Sequence, residues 1–89
     1  MKPIFLELRH LKTLLALKET GSVSLAAKRV YLTQSALSHQ IKLLEDQYGL
    51  PLFERKTQPL HFTPAGERLI QLANDILPKV IEAERDLER

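Results

Sequence analysis

Two apolar-periodic stretches stand only about three residues apart in this chain, and no other feature narrows its fold as much. The second, Thr33 to Gly49, places Leu37, Ile41, Leu44 and Tyr48 at +4, +3 and +4, the core stripe of an amphipathic helix. Thr33 can cap its N-terminus through the hydroxyl, and Gly49 supplies a left-handed residue that stops it. The first, Ser22 to Leu32, predicts a short helix capped by Ser24. Its Ala26 and Ala27 are small enough for another helix to approach closely, with Lys28 and Arg29 outside and Val30 inside. Helices joined through Tyr31 to Thr33 alone must cross steeply, which is the helix-turn-helix arrangement. The turn lacks the glycine often found there, so spacing rather than a turn residue carries this inference.

The flanks complete a small body. A first helix is expected from Glu7 to Thr20, with Leu8, Leu11, Leu14, Leu15 and Leu17 on its apolar side. Glu7 suits the positive end of its dipole, Lys18 its last turn, and Gly21 ends it. After Gly49, Leu52 and Phe53, then Leu60 and Phe62, read as two short strands joined by residues 54–59. Pro51 and Pro59 confine them to edges, and Arg55 and Lys56 project at the tip, so the hairpin is a wing. Thr63-Pro64 opens a last helix as side-chain cap and first-turn proline. Along it Leu69, Ala73, Ile76, Val80, Ala83 and Leu87 recur at +4 and +3, a heptad seam that Ile70, Leu72, Leu77 and Ile81 widen. Pro78 is expected to kink that helix without stopping it, because the seam keeps its register across the proline. About 25 residues at ~1.5 Å each make ~37 Å, more than so small a body can cover, so the seam calls for a second chain. The expected fold is mainly α: a winged helix-turn-helix, with a three-helix body and a two-stranded wing over residues 1–62, followed by a linker and dimerisation helix over 63–89.

Charge divides along the same line. Residues 1–62 carry nine Lys/Arg against five Asp/Glu, net +4, while 63–89 carry four against six, net −2. A polyanion partner therefore fits the first part only. The polar side of the 33–48 helix presents Gln34, Ser35, Ser38, His39 and Lys42, with no acidic residue before Glu45. Such a face is either an ordinary solvated surface or one that can meet phosphates and base edges without like-charge repulsion. Gln pairs with adenine N6 and N7, Ser donates or accepts at several edges, and His can donate to guanine or phosphate. Thr33, Ser22 and Ser24 lie at helix starts, where hydroxyls and free N–H groups bind phosphate.

Other classes fare worse. Ser35 and His39 stand i, i+4, but no strained nucleophile elbow or orienting carboxylate accompanies them, so no enzyme is expected. His10, His39 and His61 have no metal-ligand spacing, and the three glycines form no phosphate-cradling loop. Without cysteine there is no disulfide or thiolate site. No window reaches the roughly 18 apolar residues of a membrane span, and the apolar run at the N-terminus is too short for a signal peptide, so a cytoplasmic location is the default expectation.

Several strings resemble one family. Gly21-Ser22-Val23 with Ala26-Ala27, Thr33-Gln-Ser-Ala-Leu-Ser38, Leu44-Glu45, Gly49-Leu-Pro-Leu-Phe-Glu-Arg55 and Thr63-Pro-Ala-Gly-Glu67 align without a gap over about four-fifths of the chain. They are similar to the N-terminal DNA-binding domain of LysR-type transcriptional regulators. Gln34 to Gln40, Arg55 to Leu60 and Leu72 to Pro78 are similar to the subgroup of that family controlling methionine biosynthesis. The sequence departs from the family pattern at Ser35 and His39, where Pro and Arg are usual, and at Leu25 and Leu43, which stand where polar residues are common.

The resemblance implies base reading by Gln34, Ser35, Ser38, His39 and Arg55, and phosphate binding by Ser22, Ser24, Thr33, Lys42 and Lys56. The helix at 33–48 would enter the major groove, and the wing at 54–59 would meet the backbone or minor groove. It also implies double-stranded DNA with a pseudo-palindromic site as partner, an antiparallel homodimer through the linker helix, and a tetramer of the full-length protein. No cofactor is expected within these residues. The small-molecule inducer, homocysteine if the subgroup holds, would bind a C-terminal effector domain, and a chain ending at Arg89 looks like a fragment excised from such a regulator. The alternative is a winged-helix protein-interaction module that dimerises without specific DNA readout.

Overall fold

A computed structural model describes residues 2–54 and 59–88. Its elements are α1 (Leu8–Thr20), α2 (Val23–Arg29), α3 (Gln34–Tyr48), β1 (Phe53–Glu54), β2 (His61–Phe62) and α4 (Pro64–Leu87). The strands pair antiparallel, Phe53 opposite Phe62 and Glu54 opposite His61. This is the expected winged helix-turn-helix with a long closing helix.

The core forms where the apolar faces of the three body helices converge. Leu14 and Leu17 of α1, Ala26 and Ala27 of α2, and Leu37, Ile41 and Leu44 of α3 are all buried in one cluster. Leu52 and Phe53 close it from the wing and Ile70 from α4. Ile70 lies beyond the expected division at residue 62, so the body and the first turns of the last helix share one core. Phe53 and Phe62, facing each other across the two strands, bring their rings to 5.9 Å.

Local chemistry sets most of the boundaries. Gly21 and Gly49 both adopt φ 67° as left-handed caps, their N–H groups donating to the Leu17 and Glu45 carbonyls. Thr63 caps α4 by accepting from the Gly66 N–H at 3.1 Å, and its hydroxyl donates to the Pro51 carbonyl at 2.7 Å. One side chain thus starts the last helix and straps it to the wing. Lys18 adds a second tie from α1, meeting Glu67 at 2.7 Å and lying 5.4 Å from the Phe62 ring centre. α4 runs on through Pro78 to Leu87.

Several expectations need correction. Glu7 is the N-cap of α1 rather than its first residue, and Leu8 is exposed because the core begins one turn later, at Leu11. Ser22, not Ser24, caps α2, its hydroxyl accepting from the Leu25 N–H at 3.2 Å. Thr20 decides between them: its hydroxyl accepts from the Ser22 N–H at 3.2 Å and donates to the Ala16 carbonyl at 2.8 Å, holding Ser22 in the extended geometry a cap needs. Tyr48 ends the apolar stripe of α3 outside the core, 43% exposed, with its ring edge-on to Phe5. The strands pair one residue later than the apolar pattern places them, since Leu52 is drawn under the wing into the core.

Candidate nucleic-acid interface

The helix-turn-helix is held from behind. Leu37, Ile41 and Leu44 fix the inner face of α3, and Glu45 beside them is only 8% exposed. Its Oε2 accepts the Leu52 N–H at 2.8 Å, a charge-assisted hydrogen bond tying the first residues of the wing to the back of α3. Sequence reasoning gave Glu45 no such role. The signal was present, since at 3.6 residues per turn Glu45 lies only about 40° round the helix from Ile41.

The turn into α3 is a Schellman motif built without glycine. The Tyr31 N–H donates to the Lys28 carbonyl at 3.3 Å and the Leu32 N–H to the Ala27 carbonyl at 2.9 Å. Tyr31 itself takes φ 59°, alone among the described non-glycine residues in having positive φ. Thr33 then caps α3, its Oγ1 accepting from the Ala36 N–H at 3.0 Å.

The candidate side chains sit on these elements as follows. Gln34, Ser35, His39 and Lys42 are exposed, and Ser38 is half-buried among them. Spacings of three and four gather them into one stripe opposite the core. The stripe is weakly charged: Lys42 Nζ pairs with Asp46 Oδ1 at 3.1 Å one turn on. An exposed pair of this kind is worth only ~0.3–0.5 kcal/mol, so a phosphate can displace the carboxylate. The oxygens of Ser22 and Thr33 accept cap bonds, which leaves each hydroxyl hydrogen free to donate outward. Ser24, half-buried in the first turn of α2, caps nothing. Arg55 and Lys56 lie outside the described residues.

The linker-helix seam divides in two. Ala73 is fully buried within the protomer, and Leu69, Ile76 and Val80 are half-buried. Ala83 is exposed, and Leu87 is 84% exposed. Between α1 and α4 runs an apolar groove of about 660 Å³, lined by Leu8, Leu15, Leu77, Val80 and Ile81 among others. Among the described residues no group of three or more acidic or histidine side chains could hold a metal, and no helix is long and apolar enough to cross a membrane.

Known proteins share this geometry. The family model described as "Bacterial regulatory helix-turn-helix protein, lysR family" matches residues 8–67. The HTH-type transcriptional regulator MetR of Haemophilus influenzae is 83% identical over 89 residues, covering 100% of this chain and 29% of that protein. Its namesake from Escherichia coli K12 is 55% identical over 78 residues, covering 88% and 25%. The chain thus spans less than a third of the length of these relatives. The crystal structure of the BenM_DBD/catB site 1 DNA complex superposes with a TM-score of 0.85 at 36% identity, covering 94% of each chain. The CbnR_DBD–DNA complex gives 0.76 at 31%, covering 94% of this chain and 100% of that one. With its family model spanning both helices of the motif, the wing and the start of α4, the chain belongs to the lysR family of bacterial regulatory helix-turn-helix proteins, a family of regulators rather than enzymes.

Proposed function

We propose that this chain reads DNA sequence for a transcriptional regulator, with α3 in the major groove and the wing on the neighbouring backbone or minor groove. The observation that carries the reading is the exposed face of α3. It has polar hydrogen-bonding groups from Gln34 to Lys42 without a carboxylate, on a helix locked to the core by Leu37, Ile41 and Leu44. Gln34, Ser35, Ser38 and His39 take the base edges, joined by Arg55 from the wing. Ser22, Ser24, Thr33, Lys42 and Lys56 take phosphates, which set affinity more than sequence. Identity of 83% to a regulator named MetR supports methionine biosynthesis genes as the targets. On that reading a small-molecule inducer, homocysteine, would bind outside these residues.

The partners follow from α4. Its bare end at Ala83 and Leu87, and the apolar groove it forms with α1, are surfaces a second copy can cover. Antiparallel pairing of two such helices would give a homodimer on a pseudo-palindromic site, and full-length subunits would build a cytoplasmic tetramer. The observation favouring a protein-docking module instead is Leu43, 48% exposed at the edge of the α3 face. A single aliphatic side chain is not an interaction patch, and so the DNA reading stands ahead.

The test is fluorescence anisotropy on duplexes over a range of salt. Affinity should fall steeply with salt through counterion release. Gln34→Ala should relax preference at one base position at a loss of ~1–3 kcal/mol on that site. Weakening by the same factor on every sequence would make Gln34 a backbone contact, and salt-independent binding would favour the docking module.

A further inference from the structure

Tyr31 stands where the fold gains nothing from a tyrosine. The two other left-handed helix caps of the body, at residues 21 and 49, are glycines, which accept positive φ without a clash at Cβ. α2 ends in the same left-handed geometry at φ 59° but carries a large aromatic ring there. Aromatic residues are poor occupants of this region, and they persist in it only when something outweighs the strain. Nothing among the described residues does so. The residue is 94% exposed, and its only bond among those described is the backbone donation to Lys28 that any residue could make. Leu32 beside it is half-buried against the core and anchors the turn, so the Tyr31 ring adds no packing.

Its surroundings indicate what the ring is for. From Tyr31 to Ala36 every residue except Leu32 is exposed, so the phenol belongs to one surface with the N-terminus of α3. Lys28, one turn back on α2, is exposed beside it and takes no ion pair among the described residues. Arg29, by contrast, is held by Glu19 at 2.8 Å. A tyrosine offers a flat apolar face and one hydroxyl donor, and with an exposed lysine one turn back in the chain the two residue types match a sugar–phosphate strand.

We propose that Tyr31 is a DNA-backbone contact. Its hydroxyl donates to a phosphate oxygen at the edge of the groove that α3 enters, and its ring lies against the adjoining sugar. The inference rests on the DNA-binding reading above and deepens it by adding a positioning residue, one that sets how α3 enters the groove without touching a base.

Two variants of this chain separate the contributions. Tyr31→Gly removes ring and strain together, so its melting temperature should equal or exceed that of the parent while its affinity falls about tenfold or more on every duplex. Tyr31→Phe keeps the ring and the strain and removes only the donor, so its melting temperature should match the parent's and its affinity should fall several-fold. Because a neutral hydroxyl releases no counterion, the salt slope should stay that of the parent in both variants. Gln34→Ala, measured alongside, tells two failures apart. If the parent binds with steep salt dependence and Gln34→Ala alters base preference, yet both Tyr31 variants bind like the parent, the Tyr31 contact is refuted and the DNA reading survives. Loss confined to particular base pairs would also refute a backbone contact. A parent that binds no duplex overturns both.

Discussion

Replacing Gly66 with alanine should unfold this protein several degrees earlier, although the same change in most helices stabilises. Inside an ordinary helix, Gly→Ala favours the folded state by ~1 kcal/mol. Gly66 is in the first turn of α4, where a Cβ would fall well inside van der Waals contact of the Leu52 carbonyl oxygen. It would also stand 3.0 Å from the Leu52 carbonyl carbon and 3.1 Å from Phe62 Cδ2. Leu52 cannot easily retreat. Its N–H is held by Glu45 at 2.8 Å, its carbonyl accepts from the Thr63 N–H at 3.1 Å, and its side chain is buried. Overpacking of this kind costs ~1–3 kcal/mol, and loss of the Thr63 bond adds ~1 kcal/mol. After the helix-propensity gain, the net loss is about 1–3 kcal/mol, or a melting point lower by about 4–24 °C for a domain of this size.

Circular dichroism melts at one protomer concentration give the comparison, because association also shifts the melting point. Gly49→Ala is the internal control. Nothing lies within 4 Å of its added Cβ, but its φ of 67° remains, so only left-handed strain of ~1–2 kcal/mol is expected. If Gly66→Ala melted at or above the parent temperature, Leu52 would be free to move, and the Glu45–Leu52–Thr63 strap would not be the rigid element described above.

Two further outcomes follow from the structure. His10 Nδ1 accepts the Glu7 N–H at 2.9 Å and the ring stacks on Phe5, which requires the neutral imidazole; burial lowers its pKa, the Glu7 carboxylate works against that, and Arg9 adds to it. The unfolded chain therefore takes up this proton first. Stability should be full above about pH 6.5 and fall as pH drops through the lowered folded value, and His10→Gln should flatten that part of the denaturation profile. Ala83→Glu, at a position exposed in the single chain, should leave the melting of the monomer unchanged and, on the proposed pairing of two α4 helices, abolish that pairing by burying a carboxylate in each partner, at several kcal/mol. Sedimentation velocity decides this, and a dimer that persists would place the contact elsewhere on α4.

The parts of this fold that could be read from sequence were those set by local chemistry. Thr33, Gly21, Gly49 and Thr63 each perform within four residues the task their type performs in isolation, and all four bound the helices expected of them. The apolar stripe of α3 was legible for three of its four residues, failing at Tyr48, where the body ends and no core remains to receive the ring. What periodicity could not supply was anything decided by a distant backbone. Glu45 looks like a surface carboxylate until the wing folds back and offers it the Leu52 N–H. Ser22 and Ser24 are equivalent as caps until Thr20 selects one. Ala73 fits a seam as well as a core, and only the packing of α4 along α1 buries it within the chain. For the candidate site, the face of α3 was visible as a stripe, whereas the left-handed tyrosine before it was visible only as a missing glycine.

The strap also bears on how reading DNA and pairing subunits can be joined. α3, the wing and α4 are not separate pieces on flexible joints. Glu45 holds Leu52, the Leu52 carbonyl receives the Thr63 N–H, and the Thr63 hydroxyl reaches Pro51 while its oxygen caps α4. Each link is a short hydrogen bond to a backbone group, and Gly66 lets the helix start in contact with that backbone. The direction in which α4 leaves the body is therefore set relative to α3 by bonded geometry rather than by a linker's average. Were two α4 helices to pair, the separation and tilt of the two α3 helices would be fixed by the same links, and with them the spacing of the half-sites. A change in the strap would then alter the preferred spacing without touching any residue that faces a base.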